Sequence, residues 1–584
     1  MEEAGLPVLD AFQAGLLVVA EYWSFFLCLG MLQLVFTMLT ACLLGKICIG
    51  KDVYLVVCFL GGMLGLTLFC FIASILKIKP ASLWIIGFAG VTLAGFVYHR
   101  KQRYEPPPAS LLALVPFFLF LLIFRLSFVQ NLIVPSYADS VTHIQIVQDL
   151  LNPERPPSAY FRFDASLQRY YHFGFHSVAA WLSGVTATDP LYGIMLLGQY
   201  FQALGILALF PLGRLASEKP YIAWMAMIIA LFFLPMPAYA SNWGKYPAIA
   251  SMAGISFLLT FFLLYLQQSS ASARVWVVIA LAIVSTVVLH SRSLFVFMLV
   301  LFIYALHARS DRLLRYFEIN QPPDIKISVS LFMSYMGLLS FFLLLVLELD
   351  LHMAIVSVLI GLSIIVFFID TLFASLLVLF LLVGTGMLPS LLAEFILPHR
   401  YASVFDRPYL VILLYIPVSI LIAQGIDKLF DFIKHGNIAV YRLTMVLTLF
   451  AAGIVYANQT RNYLPSSCCI FVNDDDLFSY IWMTENIPEN ALVGIAATGK
   501  PGSLLAADGG AWAEHFTSIP TRKLDTNANF ILEKWKLCND RVTYFYLDNL
   551  ENSFDEYNLI EAGGVHQFSL GDVRIYSLNC DYME

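Results

Sequence analysis

The sequence predicts a polytopic α-helical membrane protein of about fourteen spans, followed by a small C-terminal α/β domain. Three observations predict it. Of 584 residues, 60% are hydrophobic and 12% charged, and the mean hydropathy is +0.78, far too apolar for a chain that folds in water. Apolar runs of the roughly 20 residues that a helix needs to cross a bilayer recur from Leu16 to Tyr456, with one long interruption. From Asn458 to Glu584 the polarity is ordinary. On these grounds the chain divides into a membrane part, 1–457, carrying an outer loop at 129–189, and a soluble part, 458–584.

In order, the apolar runs lie at about 14–44, 53–76, 81–98, 109–128, 190–213, 221–240, 247–267, 274–290, 293–308, 328–349, 351–369, 371–388, 408–425 and 440–457. The start, Met1-Glu2-Glu3, lacks the basic region of a signal peptide, so the first run is read as a span. Orientation follows from Lys and Arg in the short connections. Lys46, Lys51, Arg100, Lys101, Arg103, Arg214, Lys219, Arg274, Arg309, Arg312, Arg315, Lys326, Lys428, Lys434 and Arg442 fall on alternate loops, and the opposite set carries only Lys77, Lys79, Lys245, Arg292, Arg400 and Arg407. Basic loops stay cytoplasmic. Both termini, the 129–189 loop, the hairpin at 241–247, the loop 389–407 and the C-terminal domain are therefore expected on the extracytoplasmic face, with the plasma membrane as the expected location.

The net charge of -7 argues against a general nucleic-acid binder, which needs a basic surface to displace counterions. Cys28, Cys42, Cys48, Cys58 and Cys70 sit in or beside apolar runs and read as small buried hydrophobes, with no zinc spacing among them. Cys468, Cys469, Cys538 and Cys580 fall in the soluble part, where the sequence leaves disulfide pairing open.

The interruption is where chemistry collects. After Pro135, the residues Val141, Ile144, Val147 and Leu151 recur at helical spacing, and Asp139 and His143 lie four apart on one face near the helix start. An acid there reads as a cap for the first-turn amides. It reads equally as a base for a hydroxyl at the lipid–water boundary, placed directly after a membrane exit beside a histidine. The loop continues through Pro153, Pro156, Pro157, Arg162, Asp164 and Arg169 to Tyr170-Tyr171-His172-Phe173-Gly174-Phe175-His176. A short apolar helix ending at Gly184 follows, interfacial or re-entrant, and Asp189-Pro190 starts the next span. An aromatic belt at headgroup level accounts for many of these rings. His172 and His176 supply two metal ligands with no adjacent third, so no metal set is read, and a divalent cation stays open as a cofactor.

Together these motifs resemble the GT-C superfamily of membrane glycosyltransferases, which includes the protein O-mannosyltransferases and the aminoarabinose transferases of lipid A. The resemblance rests on Asp139 and His143 after an early span, on Tyr170 to His176, and on Gly244-Lys245-Tyr246-Pro247 at a later outer hairpin. It extends to His399-Arg400-Tyr401, then Arg407-Pro408 and a span ending at Gln424-Gly425, and to the outer C-terminal domain, covering most of the chain after residue 110. The sequence departs from the pattern where Ser140 follows Asp139, since O-mannosyltransferases carry a second acid there, and in having four spans before the loop instead of one. The resemblance implies a GT-C-like fold and transfer of a sugar from a polyprenyl-phosphate-linked donor to an extracytoplasmic glycan, lipid or protein, with inversion. It implies Asp139 as base or orienting group with His143 beside it. Arg400, His399, Lys245 and Arg292 would hold the donor phosphate, although each also reads as an interfacial side chain snorkelling to lipid headgroups. Tyr171, His172 and His176 would line the substrate site.

In the soluble part, Asp476 to Asn486 reads as a helix, Ala491 to Ala496 and Arg541 to Leu547 as strands, and Val565 to Leu570 with Val573 to Leu578 as a hairpin around Gly571-Asp572. The run Asp508-Gly509-Gly510-Ala511-Trp512 lacks the lysine and spacing of a phosphate loop. It is read as a loop facing the membrane site, with Trp512, His515 and Arg522 as acceptor contacts, or as a plain surface aromatic loop. Two other function classes compete. A transporter or flippase would place ionisable groups deep in its spans and show two related halves, and neither is read here. A non-enzymatic scaffold would leave Asp139 dispensable.

Overall fold

The computed structural model describes residues 8–45, 50–79, 90, 95, 109–130, 132–152, 172–217, 219–267, 273–294, 296–298, 407–433, 438–499, 504–548 and 553–580. The chain forms two compact units.

The described part of the first unit, Met1–Ser127, Val147–Ala240 and Tyr246–Tyr463, is helical. Five of its described helices are long and apolar enough to cross a bilayer: Trp23–Leu44, Lys51–Ile75, Pro190–Ala216, Tyr246–Leu264 and Val440–Thr460. Shorter apolar helices lie at Leu112–Leu126, Pro220–Phe233, Ala273–Leu289 and Val411–Asp427. The helix Pro190–Ala216 is buried on all sides, whereas Val440–Thr460 leaves most of its surface uncovered, as a lipid-facing helix does. Close packing needs small residues. A Cβ on Gly62 would stand 2.5 Å from Thr37 Oγ1, so this glycine lets Lys51–Ile75 lie against Trp23–Leu44.

Several expected runs are divided, and proline accounts for most of the breaks. The run 14–44 is two helices, Val8–Glu21 and Trp23–Leu44, meeting at Tyr22. The run 190–213 is offset at Ala208, because Pro211 cannot donate to the carbonyl of Leu207 and its ring crowds that oxygen. Pro417 acts likewise on Leu413, which ends Arg407–Leu413 before Tyr415–Ile433 begins. The run 221–240 is helical to Phe233, breaks at Pro235 and Pro237, and resumes as a 3-10 turn at Ala238–Ser241. The runs 328–349, 351–369 and 371–388, nearly all of 81–98 and most of 293–308 lie outside the described residues.

Polar ties occur where charge alternation places the cytoplasmic loops. Arg214 Nε is 3.3 Å from Asp52 Oδ2, and Lys219 Nζ is 2.6 Å from Asp427 Oδ2. Tyr221 also donates to Asp427, and the Arg442 guanidinium lies 4.8 Å from the Tyr221 ring centre.

The second unit gathers Phe128–Ile146, Ser241–Lys245 and Leu464–Glu584. Its sheet has strands β1 Leu492–Thr498, β2 Leu505–Ala506, β3 Thr521–Asp525, β4 Val542–Leu547, β5 Gly564–Leu570 and β6 Val573–Leu578. They run in the order β2-β1-β4-β6-β5, with β3 also on β1. β1 is parallel to β3 and β4, and the β4–β6 and β6–β5 pairs are antiparallel. Helix Phe530–Asn539 joins β3 to β4 and inserts Phe530 against Phe545 and Phe554, each with its ring centre 5.2 Å away. A disulfide between Cys538 and Cys580 ties that helix to the chain after β6, and the adjacent Cys468 and Cys469 are paired with each other.

Helix Asp474–Asn486 starts with a reciprocal cap, in which Asn473 accepts from first-turn amides and Asp476 Oδ2 accepts the Asn473 N–H at 2.7 Å. Asp476 is fully buried and also accepts from the Tyr546 hydroxyl. Burial is the main reason its carboxyl is pushed up to about 7; the nearby Asp548 and Asp475 add to this, and its hydrogen bonds oppose it. Asp508, equally buried, accepts from Gly510 N at 3.0 Å and Ser553 Oγ at 3.1 Å, and burial raises it well above the usual carboxylate range.

Candidate active site

The sequence elements that resemble a catalytic loop meet in the second unit. Phe128–Ile146 leads into helix Asp139–Leu151, the helix that the apolar spacing predicts, with Ile144 and Val147 buried. Asp139 is its first residue. Its carboxylate does not serve the first-turn amides as a cap: Lys245 Nζ lies 2.5 Å from Asp139 Oδ2. Both side chains are about three-quarters buried, with 29% and 25% exposure, so the pair is fixed yet open to a ligand.

Lys245 reaches Asp139 because of the residue before it. Gly244 has φ +61, a conformation that suits glycine, and a Cβ there would stand 2.6 Å from Ser140 Oγ and 2.9 Å from Ser136 O. Both the turn and the close approach require glycine at this position. The Gly244 carbonyl accepts from His143 Nε2 at 2.9 Å. His143 is buried, and desolvation lowers its pKa to about 4 against the opposing pull of Asp139, so the ring is neutral near neutral pH with Nε2 carrying the proton. The sequence pairs Asp139 with His143 through their four-residue spacing. In the structure they hold the two ends of one Gly-Lys hairpin, the acid by its ammonium and the histidine by its carbonyl.

The C-terminal segment completes this corner. Asn242 Oδ1 accepts from Ser466 N at 2.7 Å, and the Tyr137 N–H donates to Cys469 O at 3.0 Å. Tyr137, Asn242 and Ser466 are absent from the sequence reading. Asn242 and Gly244 in Ser-Asn-Trp-Gly-Lys carry a turn signal, but nothing local marks which chain segment they meet.

The remaining sequence candidates belong to other parts of the chain. His172, His176 and Arg292 belong to the first unit, where His176 is buried and the His172 ring centre lies 4.2 Å from that of His290. His290 in turn stacks on Tyr409 at 4.4 Å. Tyr171, His399 and Arg400 lie outside the described residues. The glycine-rich run is corrected: Gly509–Trp512 is a buried 3-10 turn and Trp512 is a fully covered core residue with its ring beside His515, so it presents no surface to an acceptor. Arg522 is held by Asp540, with Nη1 2.8 Å from Oδ2. Among the described residues no group of three or more His, Cys, Asp or Glu side chains is arranged to hold a metal.

Apolar helices long enough to span a bilayer, joined in one chain to a second unit that carries a partly exposed carboxylate–ammonium pair, define a polytopic membrane protein with a separate polar unit. The chain belongs to DUF6541, a family of unknown function, whose model matches residues 32–359. No curated protein matches it. Among solved structures it is similar to the arabinofuranosyltransferase AftD from mycobacteria at 11% identity and a TM-score of 0.37, over 80% of this chain and 40% of that one. A mutant of the same enzyme matches at 11% identity and a TM-score of 0.36, over 80% and 41%. The chain thus spans about two fifths of the length of those enzymes. At this overlap the likeness assigns no activity.

Proposed function

We propose that this protein is a membrane glycosyltransferase that moves a sugar from a polyprenyl-phosphate-linked donor to an extracytoplasmic glycan, lipid or protein, with inversion. The observation that carries the proposal is the Asp139–Lys245 pair at 2.5 Å, held by the Gly244 hairpin and partly exposed. A lipid-linked donor presents an anionic leaving group at the membrane surface, where an ammonium and a carboxylate have complementary tasks. Lys245 exchanges Asp139 for a donor phosphate oxygen, which frees the carboxylate. Asp139 then takes the proton of the acceptor hydroxyl. The acceptor oxygen bonds to the anomeric carbon, the carbon–oxygen bond to phosphate breaks on the opposite face, and polyprenyl phosphate leaves beside Lys245. His143 is a positioning residue: neutral and buried, it fixes the hairpin by donating to Gly244 O. Arg400, His399 and Arg292 remain proposed donor contacts, and His172 and His176 proposed substrate contacts. The Cys538–Cys580 disulfide supports placing the C-terminal domain in an oxidising, extracytoplasmic compartment.

Binding of a photoreactive polyprenyl phosphate to the protein in lipid nanodiscs tests the role of Lys245. Lys245→Met should weaken it roughly tenfold, the worth of one charge-assisted contact, while Asp139→Asn should keep it or strengthen it by releasing the lysine. Equal binding by wild type and Lys245→Met would remove the lysine from the donor site.

A further inference from the structure

Tyr137 has φ +68, in the left-handed region where a bulky side chain is a genuine outlier. Asparagine or glycine would make the same turn with less steric conflict. The strain is maintained from outside the loop. The Tyr137 N–H donates to Cys469 O at 3.0 Å, and its ring centre lies 5.5 Å from that of Phe471, a buried residue two positions further on. On its other side the Tyr137 carbonyl accepts from Ser140 N at 3.2 Å, which sets the first turn of the helix that carries Asp139. The residue is half-buried. Burial pushes its hydroxyl above the ordinary tyrosine range, with the Asp139 carboxylate adding to the rise and Lys245 opposing it, so the phenol stays neutral. Strain held by two independent contacts beside an ion pair is a mark of function.

We propose that Tyr137 is a substrate-contacting residue of the Asp139–Lys245 site, held in its left-handed conformation by segment 469–471 so that its phenol hydrogen-bonds a hydroxyl of the transferred sugar. This inference rests on the glycosyltransferase reading and names what that site recognises: a hydroxyl-bearing ring, met by a neutral donor and an aromatic edge in place of a charge. The C-terminal segment thereby becomes part of the site, because it supplies both contacts that hold Tyr137.

The test uses the full chain in nanodiscs and three variants. Tyr137→Phe keeps the ring and the strain and removes only the hydroxyl. It should melt as the wild type does and lose about tenfold in kcat/KM, the cost of one unpaired hydrogen bond at the site. Tyr137→Gly should melt above Tyr137→Ala, reversing the usual order of these residues, because only glycine relieves a positive φ. Wild-type kcat/KM in Tyr137→Phe would overturn the substrate contact, and a glycine variant melting at or below the alanine variant would overturn the strain. Absence of transfer by the wild type itself would refute the glycosyltransferase reading and the sugar contact with it, a pattern distinct from transfer that ignores the phenol.

Discussion

The geometry of the site depends on Gly244, a residue with no side chain. Its φ of +61 and the 2.6 Å approach to Ser140 Oγ leave no room for a methyl group. Gly244→Ala should therefore push the hairpin off the Ser136–Ser140 turn, separate Lys245 from Asp139, and cost about 1–2 kcal/mol of local backbone strain. The expected outcome is transfer reduced by roughly 10²-fold or more, since misplacement of about 1 Å is enough, with helicity unchanged by circular dichroism. His143 offers a pH test. Its folded pKa of about 4 lies below the value of about 6.5 for a free histidine. Its contribution is therefore complete above about pH 6.5 and lost as the pH falls toward 4, where the unfolded form binds the proton more readily. Protection factors of the Asn242–Lys245 amides, taken relative to the intrinsic exchange rate at each pH, should fall as the pH drops through that window in the wild type, and His143→Gln, which keeps a donor for Gly244 O, should flatten the fall. Asp139 and His143 were legible in the sequence because helical spacing puts residues four apart on one face. Their partners were not, because Lys245 and Gly244 O are more than a hundred residues away and spacing carries no information about such contacts.

Among the elements, breaks follow proline and caps follow Asn and Asp, so much of the secondary structure could be read locally. The helix after Pro135, the Asp189-Pro190 start and the β5–β6 hairpin lie where the sequence places them, and Asp189 Oδ1 accepts from Leu191 N at 2.8 Å as an N-cap. β3 was missed because Thr-Arg-Lys-Leu-Asp has a single large apolar residue, and its pairing with β1 is a tertiary effect. The glycine-rich run was misread because its glycines allow close burial: a Cβ on Gly509 would stand 2.4 Å from Asp476 Oδ1. That contact joins the turn to the buried acid of helix Asp474–Asn486, and it has a pH signature. The folded pKa of Asp476, about 7, is above the unfolded value of 3.8, so the protonated form's contribution is complete below about pH 4 and lost as the pH rises through 7. The buried Asp508 is raised in the same direction. The melting temperature of the C-terminal domain should thus fall by several degrees between pH 5 and pH 8, while Asp476→Asn, with no charge to bury, should show a smaller fall. A melting temperature that rises over this range would contradict the account.

At the scale of the whole molecule, composition marks a membrane protein, and the second unit, 128–146, 241–245 and 464–584, draws on the three regions 129–189, 241–247 and 458–584 that charge alternation expects on one face. Each follows or precedes an apolar helix in the chain, so the polar unit is assembled from three separate stretches of sequence. Nothing in a hydropathy pattern says that such stretches converge. Whether their convergence is catalytic depends on Asp139. The most direct measurement is transfer of radiolabelled sugar from a panel of polyprenyl-phosphate donors by the purified protein in nanodiscs, with Asp139→Asn, matched for folding, assayed beside it. The account predicts transfer by the wild type from at least one donor and a loss of roughly 10²–10⁴-fold in the variant, the range for a general base. Equal transfer by both proteins, or none by the wild type with any donor, would contradict it.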